Sequence, residues 1–392
     1  MKLVPKIVER QAIHTEWRRE IHAHPELAYE EHRTAQFVAD KLTEFGIPIE
    51  TGIGRTGLVG TIRGGVSDRS IGLRADMDAL PLQEFNEFAH RSKTDGVMHA
   101  CGHDGHTTML LAAAEYLAKN RNFEGTVHLI FQPAEEGEAG AKAMMDDGLF
   151  ERFPMDAVYG VHNWPGHAVG KMASRKGPIM AAMDVFEVKI IGRGGHAALP
   201  HLAIDPILIA SQLVTQWHNI VSRNVNPIEA AVVSVTQFHA GEAFAVIPNE
   251  VVLRGTVRSF RPATRDMMRE RMKQLAAGIC QGNGCEFEWW YDHRFPPTIN
   301  SAPETDAASM AAKSILGDTN FYDNVDASTG SEDFGYMLEE KPGCYSFIGN
   351  GSAGGGCLLH NPNYDFNDDI IPIGASYWVE LVEQELAIGK AL

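Results

Sequence analysis

Eight consecutive residues carry an unusual density of metal-binding side chains. Residues 99–106 read HACGHDGH and contain three histidines and one cysteine. The whole chain has 17 histidines and 5 cysteines among 392 residues, and no packed core requires so dense a cluster. Imidazole and thiolate are ligands that zinc and related metals prefer. The segment therefore predicts a metal site and, with it, a metal-dependent enzyme.

Further polar residues follow three β-rich runs, at the points where the strand patterns end. These runs are SIGLRADMD (70–78), TVHLIFQPAEE (126–136) and DAVYGVHNWP (156–165), with a predicted helix at 107–119 between the first two. Strands that alternate with helices predict an α/β layered sheet. Ligands of such sheets collect at the carboxyl ends of the strands. We therefore expect these polar clusters to converge with residues 99–106 at one sheet edge.

The polar residues suit a dinuclear hydrolytic site, which needs a bridging ligand, terminal ligands and a carboxylate base. Cys101 and His103 are close enough in sequence to serve one metal centre. Glu135 and Glu136 are neighbours where a strand ends, so one can bind metal while the other faces the water. His162, in the third run, and the late His360 would complete the two coordination spheres.

Asp78 can hold a ligand imidazole or orient a metal without binding it. A purely structural role stays open as well, because Asp76 and Asp78 could cap a turn before Pro81. His99 and His106 are expected to support or pack rather than bind metal.

Residues from about 182 to 297 have a different pattern, β-α-β-β-α-β, which predicts a ferredoxin-like α+β sandwich. Site-like residues return in LHNPNYDFND (359–368), so this segment is predicted to be an insertion. We expect residues 1–182 and 297–392 to form a mixed-sheet α/β/α catalytic domain and residues 183–296 the inserted domain. Hinges are expected near Ala182 and Pro297. The glycine-rich GNGSAGGGC (349–357) matches no phosphate-binding loop and is expected to be a flexible loop.

The composition argues against several classes of partner. The formal net charge is −17, with no basic block, which disfavours nucleic acid and anionic membrane surfaces. The first residues lack the apolar core of a signal peptide, and no apolar run reaches the roughly 18 residues of a membrane span. The five cysteines are irregularly spaced, which disfavours a disulfide framework. A soluble, reducing, cytoplasmic setting is the expectation.

Nine segments resemble motifs of one family, in order along nearly the whole chain. They are HAHPELAYEE (22–31), RADMDALP (74–81), MHACGHDGH (98–106), FQPAEEG (131–137), GVHNWP (160–165), GRGGHAALPH (192–201), IPNEVVLRGTVRSF (247–260), GSEDF (330–334) and LHNPNYDFND (359–368). The chain resembles the aminoacylase and carboxypeptidase family of dinuclear zinc-type hydrolases. Within it, the chain is most similar to the branch that contains hippurate hydrolase and the plant auxin-conjugate hydrolases.

The resemblance implies a role for each site residue. Glu135 would be the general base and Glu136 a metal ligand. Cys101 would bridge two metals, in the place that an aspartate holds in other branches. The implied terminal ligands are His103, His162 and His360, and the family's motif aspartate maps to Asp78. Two divalent ions per subunit are implied, Zn²⁺ or Mn²⁺, with Co²⁺ or Ni²⁺ as alternatives.

The resemblance also implies roles for the inserted domain as a lid and dimerisation module. His196 would cross a homodimer interface, or that of a higher oligomer, to the oxyanion, while Asn249 and Arg258 would hold the substrate's oxygens and carboxylate. The implied reaction is amide hydrolysis of N-acyl or N-aroyl L-amino acids such as hippurate. A carboxypeptidase or dipeptidase is the alternative within the enzyme class. Two rival classes are a metal-independent hydrolase with Cys101 as nucleophile and a non-catalytic metal-binding module. For Arg258, a plain surface role also stays open.

Overall fold

The computed structural model describes residues 1–352 and 358–389, so Cys357 and part of the glycine-rich segment 349–357 lie outside the described residues. The chain divides into two compact units. The first comprises residues 1–179, 299–326 and 333 onward, and the second residues 180–298 and 327–332. The second unit contains the predicted segment 183–296. It also includes the irregular return 327–332, where Ser328 and Gly330 accept hydrogen bonds from the Ala181 amide. Residues 327–332 have no periodic pattern, so the sequence could not predict that they belong to this unit.

The first unit is built on a mixed eight-stranded sheet with strand order β1-β2-β4-β3-β5-β16-β6-β15. Its strands are β1 (Ile49–Ile53), β2 (Gly57–Gly64), β3 (Ser70–Asp76), β4 (Gly125–Gln132), β5 (Ala157–Pro165), β6 (Met172–Ala173), β15 (Phe321–Tyr322) and β16 (Gly343–Gly351). The short strands β7 (Gly177–Met180) and β14 (Thr298–Asn300) lie where the chain passes from one unit to the other.

Four central strands, β4, β3, β5 and β16, run parallel to one another. Every residue of β3 is buried, as expected for a parallel strand covered on both faces. The carboxyl ends of parallel strands lie at one sheet edge. The sequence segments that follow β3 and β4, and His162 within β5, are therefore brought to the same side of the sheet.

The helices of the first unit form two groups by their contacts. They are α1 (Pro5–Val8), α2 (Gln11–Ala23), α3 (His32–Glu44), α4 (His103–Lys119), α5 (Gly140–Asp146), α6 (Leu149–Arg152), α9 (Ala302–Leu316), α10 (Phe334–Glu340) and α11 (Ile371–Glu385). Helices α2, α3, α9 and α11 contact one another or α4, whereas α5 and α10 pack on each other and on β4 or β5. Among the described residues, no helix is both long enough and apolar enough to span a bilayer.

Helix α4 begins four residues earlier than the predicted 107–119, at His103. Its N-cap is Gly102, with a positive φ of 93°. A Cβ at this position would lie 2.2 Å from the side-chain nitrogen of Asn163, so only glycine fits. Fourteen α4 residues are buried. Because the helix is so firmly packed, its first turn fixes the positions of Cys101 and His103 at the edge of the sheet.

Buried His128 in β4 makes the stability of the first unit sensitive to acid. Its ring packs edge-on against Phe153, and its Nδ1 lies 3.2 Å from the Thr61 hydroxyl. Burial lowers the pKa of His128 to about 4 from its ordinary 6.5. As the pH falls from 6.5 to 4, His128 therefore becomes protonated in the unfolded chain before it does so in the folded chain. We expect up to about 3 kcal/mol of unfolding free energy to be lost through this residue over that range.

Urea denaturation at a series of pH values, with chelator present, measures this effect. H128Q should lose that part of the pH dependence, while the exposed control H239Q should keep it. An equal pH dependence in H128Q and the unmodified chain would contradict the assignment.

The second unit is a four-stranded antiparallel sheet of order β10-β12-β8-β13 with two long helices. Its elements are β8 (Ala182–Ile191), β9 (Gly195–His196), α7 (Pro206–Arg223), β10 (Ala231–His239), β11 (Val246–Ile247), β12 (Glu250–Ser259), α8 (Pro262–Asn283) and β13 (Glu286–Phe295). Burial alternates strictly along β8, so one face of the sheet packs on the helices. The long elements follow the β-α-β-β-α-β order that the sequence predicts, with the strand order of a ferredoxin-like fold.

Candidate metal centre and active site

The structure brings the six residues proposed as metal ligands or general base together in the first unit. Three groups of their ligand atoms each lie within 4.8 Å of one another. The groups are Cys101–His103–His162, Cys101–Glu136–His360 and His103–Glu135–Glu136. Cys101, His103 and Glu136 each belong to two of the three groups, and Cys101 is the one cysteine among them.

Cys101 lies immediately before α4, opposite His162 of β5. Its Sγ is 3.3 Å from His162 Nε2. His162 Nδ1 is 2.6 Å from the Asn163 carbonyl oxygen and therefore donates to it, so Nε2 carries the lone pair on the side of the thiol. The Asn163 side chain also donates to the Cys101 carbonyl at 2.6 Å. Burial, together with Glu136, Glu135 and Asp76, raises the pKa of the Cys101 thiol well above its ordinary value.

His103 is held through one ring nitrogen and leaves the other without a hydrogen bond. Its Nδ1 lies 2.9 Å from the Asp78 carbonyl oxygen and 3.1 Å from Asp78 Oδ1. Its buried Nε2 has no hydrogen-bond partner among the described residues, and Glu136 Oε1, 3.9 Å away, lies within ion-pair distance of His360 but makes no hydrogen bond there. Buried polar atoms are rarely left in this condition. Two of them side by side fit a site for a cation.

The electrostatics of the cluster also favour a cation. Burial lowers the pKa of His103, but Asp76, Asp78 and Glu136 outweigh it and raise the pKa to about 10. A field that holds a proton so firmly on a buried imidazole stabilises positive charge in general. The donor set of thiolate, imidazole and carboxylate suits a divalent transition metal.

A tight turn after β4 presents the two glutamates. Ala134 adopts a positive φ of 55°, and its amide donates to Glu31 Oε1 at 2.9 Å. Glu31 is fully buried and also accepts from the Thr56 hydroxyl. The Glu136 amide donates to Asp78 Oδ2 at 2.9 Å, and the Glu135 side chain is buried. Glu31 thus supports the turn from outside the ligand set, a role that was not predicted from the sequence.

His360 reaches the cluster from the late loop. Its amide donates to the Ala100 carbonyl at 2.8 Å, and its φ is 61°. Its Nε2 lies 3.3 Å from Glu136 Oε1, and this contact raises the pKa of His360. The imidazole is about half exposed, unlike His103 and His162.

The other two histidines of residues 99–106 differ from His103. His106 uses both ring nitrogens, with Nδ1 2.6 Å from Asp76 Oδ1 and Nε2 accepting the Asn163 amide at 2.9 Å. Both nitrogens of buried His99 lack a hydrogen-bond partner among the described residues, and burial lowers its pKa to about 3. His99 belongs to none of the potential ligand groups found among those residues.

Asp76 and Asp78 do not act as simple turn caps. Asp76 Oδ2 accepts from Arg74 Nη1 at 2.6 Å, and Arg74 Nη2 donates to Asp333 Oδ1 at 3.0 Å. Asp333 also accepts from Gln132 at 2.8 Å. Neither Arg74 nor Asp333 was predicted as a site residue. An arginine inside the otherwise apolar run SIGLRAD was the available signal, because a buried guanidinium requires acidic partners.

The three predicted substrate residues belong to the second unit. His196 lies in β9, which pairs with β11, and Asn249 Oδ1 accepts the Gly194 amide at 2.8 Å close by. Arg258 lies near the other end of β12, where Nη1 donates to the Ser331 hydroxyl at 2.8 Å. Arg258 is half-buried, and burial lowers its pKa. The structure thus places His196 and Asn249 together and Arg258 elsewhere in the unit.

Cysteine, histidine and glutamate side chains grouped in this way beside a mixed α/β sheet indicate a metal-dependent hydrolase. Comparison with known proteins gives the family. Residues 72–384 match the model of peptidase family M20/M25/M40, and the chain belongs to this family of hydrolases. The resemblance read from the nine segments is thereby confirmed.

Individual relatives agree with this assignment. The chain is 45% identical over 381 residues to the hippurate hydrolase of Campylobacter jejuni, covering 97% of this chain and 98% of the relative. It is 39% identical to the IAA-amino acid hydrolase ILR1-like 4 of Arabidopsis thaliana, covering 95% and 86%. Among solved structures, a dinuclear metal-binding M20 peptidase of Bacillus subtilis matches with a TM-score of 0.84 and 33% identity, covering 95% and 97%. This neighbour and the ligand groups together support two divalent metal ions.

Proposed function

We propose that this protein hydrolyses the amide bond of N-acyl or N-aroyl L-amino acids, such as hippurate, releasing a carboxylic acid and a free amino acid. The observation that carries the proposal is the place of Cys101 in two ligand groups, with Glu135 beside them. The Campylobacter relative, which bears the name hippurate hydrolase and aligns over nearly its whole length, supports the substrate class.

The ligand groups suggest how two ions are held. Cys101, His103 and His162 would bind one ion, and Cys101, Glu136 and His360 the other. When bound, such a pair lowers the pKa of a shared water and polarises the scissile carbonyl. Thiolate and imidazole favour Zn²⁺, while Mn²⁺, Co²⁺ and Ni²⁺ are alternatives. A reducing cytoplasmic location fits this proposal because Cys101 must remain a thiol.

In this mechanism the protein's own residues move one proton and hold the site in shape. Glu135 accepts a proton from water as the water oxygen bonds to the amide carbon. It then delivers that proton to the leaving nitrogen as the carbon–nitrogen bond breaks. Asp78 fixes the ring of His103 and the backbone of Glu136 at once. Hydrogen bonds of this kind orient the side chains that would bind the metal ions.

A metal-independent mechanism with Cys101 as nucleophile is disfavoured. The contact between Cys101 and His162 resembles a nucleophile–base pair, but the thiolate is the reactive form and needs a lowered pKa. Here burial and the neighbouring carboxylates raise the pKa of Cys101, while burial lowers that of His162. The pair is therefore neutral unless a metal ion stabilises the thiolate.

The length of β12 bears on how substrate residues are shared. Asn249 directly precedes β12 and Arg258 lies nine residues further on, so the two are roughly 30 Å apart along an extended strand. An N-acyl amino acid is far shorter than this. We therefore infer a homodimer in which His196 and Asn249 of one protomer and Arg258 of the other serve one substrate, with the second unit as lid and dimerisation module.

Mixing two inactive variants tests this sharing of residues. A heterodimer of E135Q and H196A protomers has one site that combines an intact Glu135 with the intact His196 of the partner. Co-expressed with two tags and purified, it should regain about half the activity per dimer of the unmodified enzyme, because one of two equivalent sites is complete. A heterodimer as inactive as both parent homodimers would place His196 within its own subunit's site.

Arg258 is expected to bind the substrate carboxylate. Loss of a charged hydrogen-bonded pair costs about 1.5–3 kcal/mol, so R258A should raise the KM for hippurate about 10- to 100-fold. R254A, on the same strand, is the matched control because Arg254 is exposed and paired with Glu187. Hippuramide, which lacks the carboxylate, should be hydrolysed equally by R258A and the unmodified enzyme. An unchanged KM for hippurate would remove Arg258 from the substrate site.

A substrate panel tests the function as a whole. Hippurate and acetyl-amino acids should be hydrolysed faster than dipeptides with a free amino terminus, and activity should disappear with chelator and return with Zn²⁺ or Mn²⁺. Metal analysis should give about two ions per chain. Preference for dipeptides would favour the peptidase alternative, and activity that persists in chelator would reject the metal mechanism.

A further inference from the structure

Helix α8 ends in a Schellman motif that has a cysteine at each of its two contact positions. Gly284 has a positive φ of 67°, and its amide is 3.3 Å from the Gln281 carbonyl oxygen. The Cys285 amide donates to the Cys280 carbonyl at 3.0 Å. This pair of hydrogen bonds defines the motif. The residues that close the longer of the two are Cys280 and Cys285.

Side chains at these two positions of a Schellman motif commonly touch each other. Cys280 is buried in the core of the second unit, and partly buried Cys285 packs against the same core. A disulfide needs Cα atoms about 4.4–6.8 Å apart. The 3.0 Å hydrogen bond from the Cys285 amide to the Cys280 carbonyl holds the two backbone segments against each other. Burial and then the Cys285 thiol raise the pKa of Cys280 to about 12.

We propose that Cys280 and Cys285 are a redox pair that forms a reversible disulfide across the end of α8. Both are free thiols here, and the two other described cysteines, Cys101 and Cys344, belong to the first unit. Both cysteines lie in the second unit of one chain.

A low-molecular-mass disulfide is the oxidant class that fits the pair. Cys285, the more accessible thiol, loses its proton and attacks one sulfur of the oxidant, which releases a thiolate and leaves a mixed disulfide on Cys285. Because the pKa of Cys280 is raised, loss of its proton is the slow step; the Cys280 thiolate then attacks the Cys285 sulfur, which releases the second thiol. Two protein thiols are oxidised by two electrons, and one disulfide is reduced to two thiols.

The bond would join the last turn of α8 to the start of β13. Residue Glu286 begins β13, which is an edge strand that pairs only with β8 in its sheet. Closing the short loop 280–285 restricts the unfolded chain. Oxidation should therefore raise the urea midpoint of the second unit and slow amide exchange in the first residues of β13.

Peptide mapping of the metal-loaded protein tests the pair directly. The protein is incubated with oxidised glutathione in mildly alkaline buffer, alkylated and digested with trypsin. Peptide 274–294 contains Cys280 and Cys285 and no other cysteine. It should appear two hydrogens lighter and unalkylated, and revert to the doubly alkylated form after dithiothreitol. Cys344, a buried single thiol, is the internal control and should stay reduced.

Variants separate a disulfide from incidental oxidation. C280S should stop at a glutathione adduct on Cys285, and C285S should leave Cys280 free. Neither should show the oxidant-dependent rise in urea midpoint, and both should keep the basal hydrolase activity. A glutathione adduct on Cys285 of the unmodified protein with Cys280 still alkylatable would overturn the proposal, as would a peptide that remains fully reduced while the oxidant modifies Cys344.

Discussion

Replacing Glu135 by glutamine is expected to lower kcat about 10²- to 10⁴-fold while both metal ions stay bound. Glutamine keeps the size and polarity of the side chain in the buried turn after β4, but it cannot accept a proton. Glu135 lies in the same group as His103 and Glu136, yet neither of the two groups that contain Cys101 includes it. Steady-state kinetics on hippurate and metal analysis of the same preparation measure the two effects.

E138Q is the matched control for this change. Glu138 lies three residues further along the same loop and is exposed, and its backbone carbonyl accepts a hydrogen bond from the Tyr29 hydroxyl. The substitution should leave kcat and metal content unaltered. If metal-replete E135Q kept the activity of E138Q, the proton would have to move through another group.

Replacing Cys101 by alanine is expected to abolish metal binding rather than the chemical step alone. The Cys101 thiol belongs to both of the ligand groups proposed to hold the two ions, so its loss should weaken the binding of both ions. Loss of an outer-shell partner already weakens metal affinity about 10- to 100-fold, and loss of a shared ligand should exceed this. Competition with a chelating dye gives the change in metal affinity. Metal content after dialysis gives a second measurement of the same loss.

Two further variants show whether the effect is specific to a ligand. C344A removes a buried thiol from β16 and should retain its metal, although it leaves a small cavity. C101D supplies a carboxylate instead of a thiolate and should recover binding, with the preference moved toward harder ions such as Mn²⁺. If C101A bound two ions as tightly as C344A does, Cys101 would not be a ligand.

Much of the fold follows from local patterns in the sequence. Largely apolar runs predicted three of the four central strands, β3, β4 and β5, to within a few residues, whereas β16 was not predicted and residues 349–351, expected to be loop, lie in it. The β-α-β-β-α-β order of the second unit could be predicted because each element has its own periodicity. The start of α4 was misplaced because residues 103–106, HDGH, do not have a helical pattern. The residue at which α4 begins depends on the packing of Gly102 against Asn163, and these two residues are 61 positions apart in the sequence.

The site could be predicted as a set of residue types but not as a network. Strand ends and the HACGHDGH cluster pointed to the ligands, because carboxyl ends of parallel strands converge. The residues that support those ligands could not be predicted from the sequence. Glu31 holds the glutamate turn from 103 residues away, and Asp333 meets Arg74 from 259 residues away. Such pairs depend on tertiary packing, which no local pattern encodes.

The proposed sharing of the Cys101 thiol between two ions would affect the order in which the ions bind. The pKa of Cys101 is raised, so the first ion to bind must displace the thiol proton against this preference. The second ion finds the sulfur already ionised. Release of the thiol proton should therefore accompany the first equivalent and not the second, and this difference would favour cooperative loading against the mutual repulsion of the cations. Sub-stoichiometric metal would then yield a mixture of empty and doubly loaded molecules rather than a uniform half-loaded population.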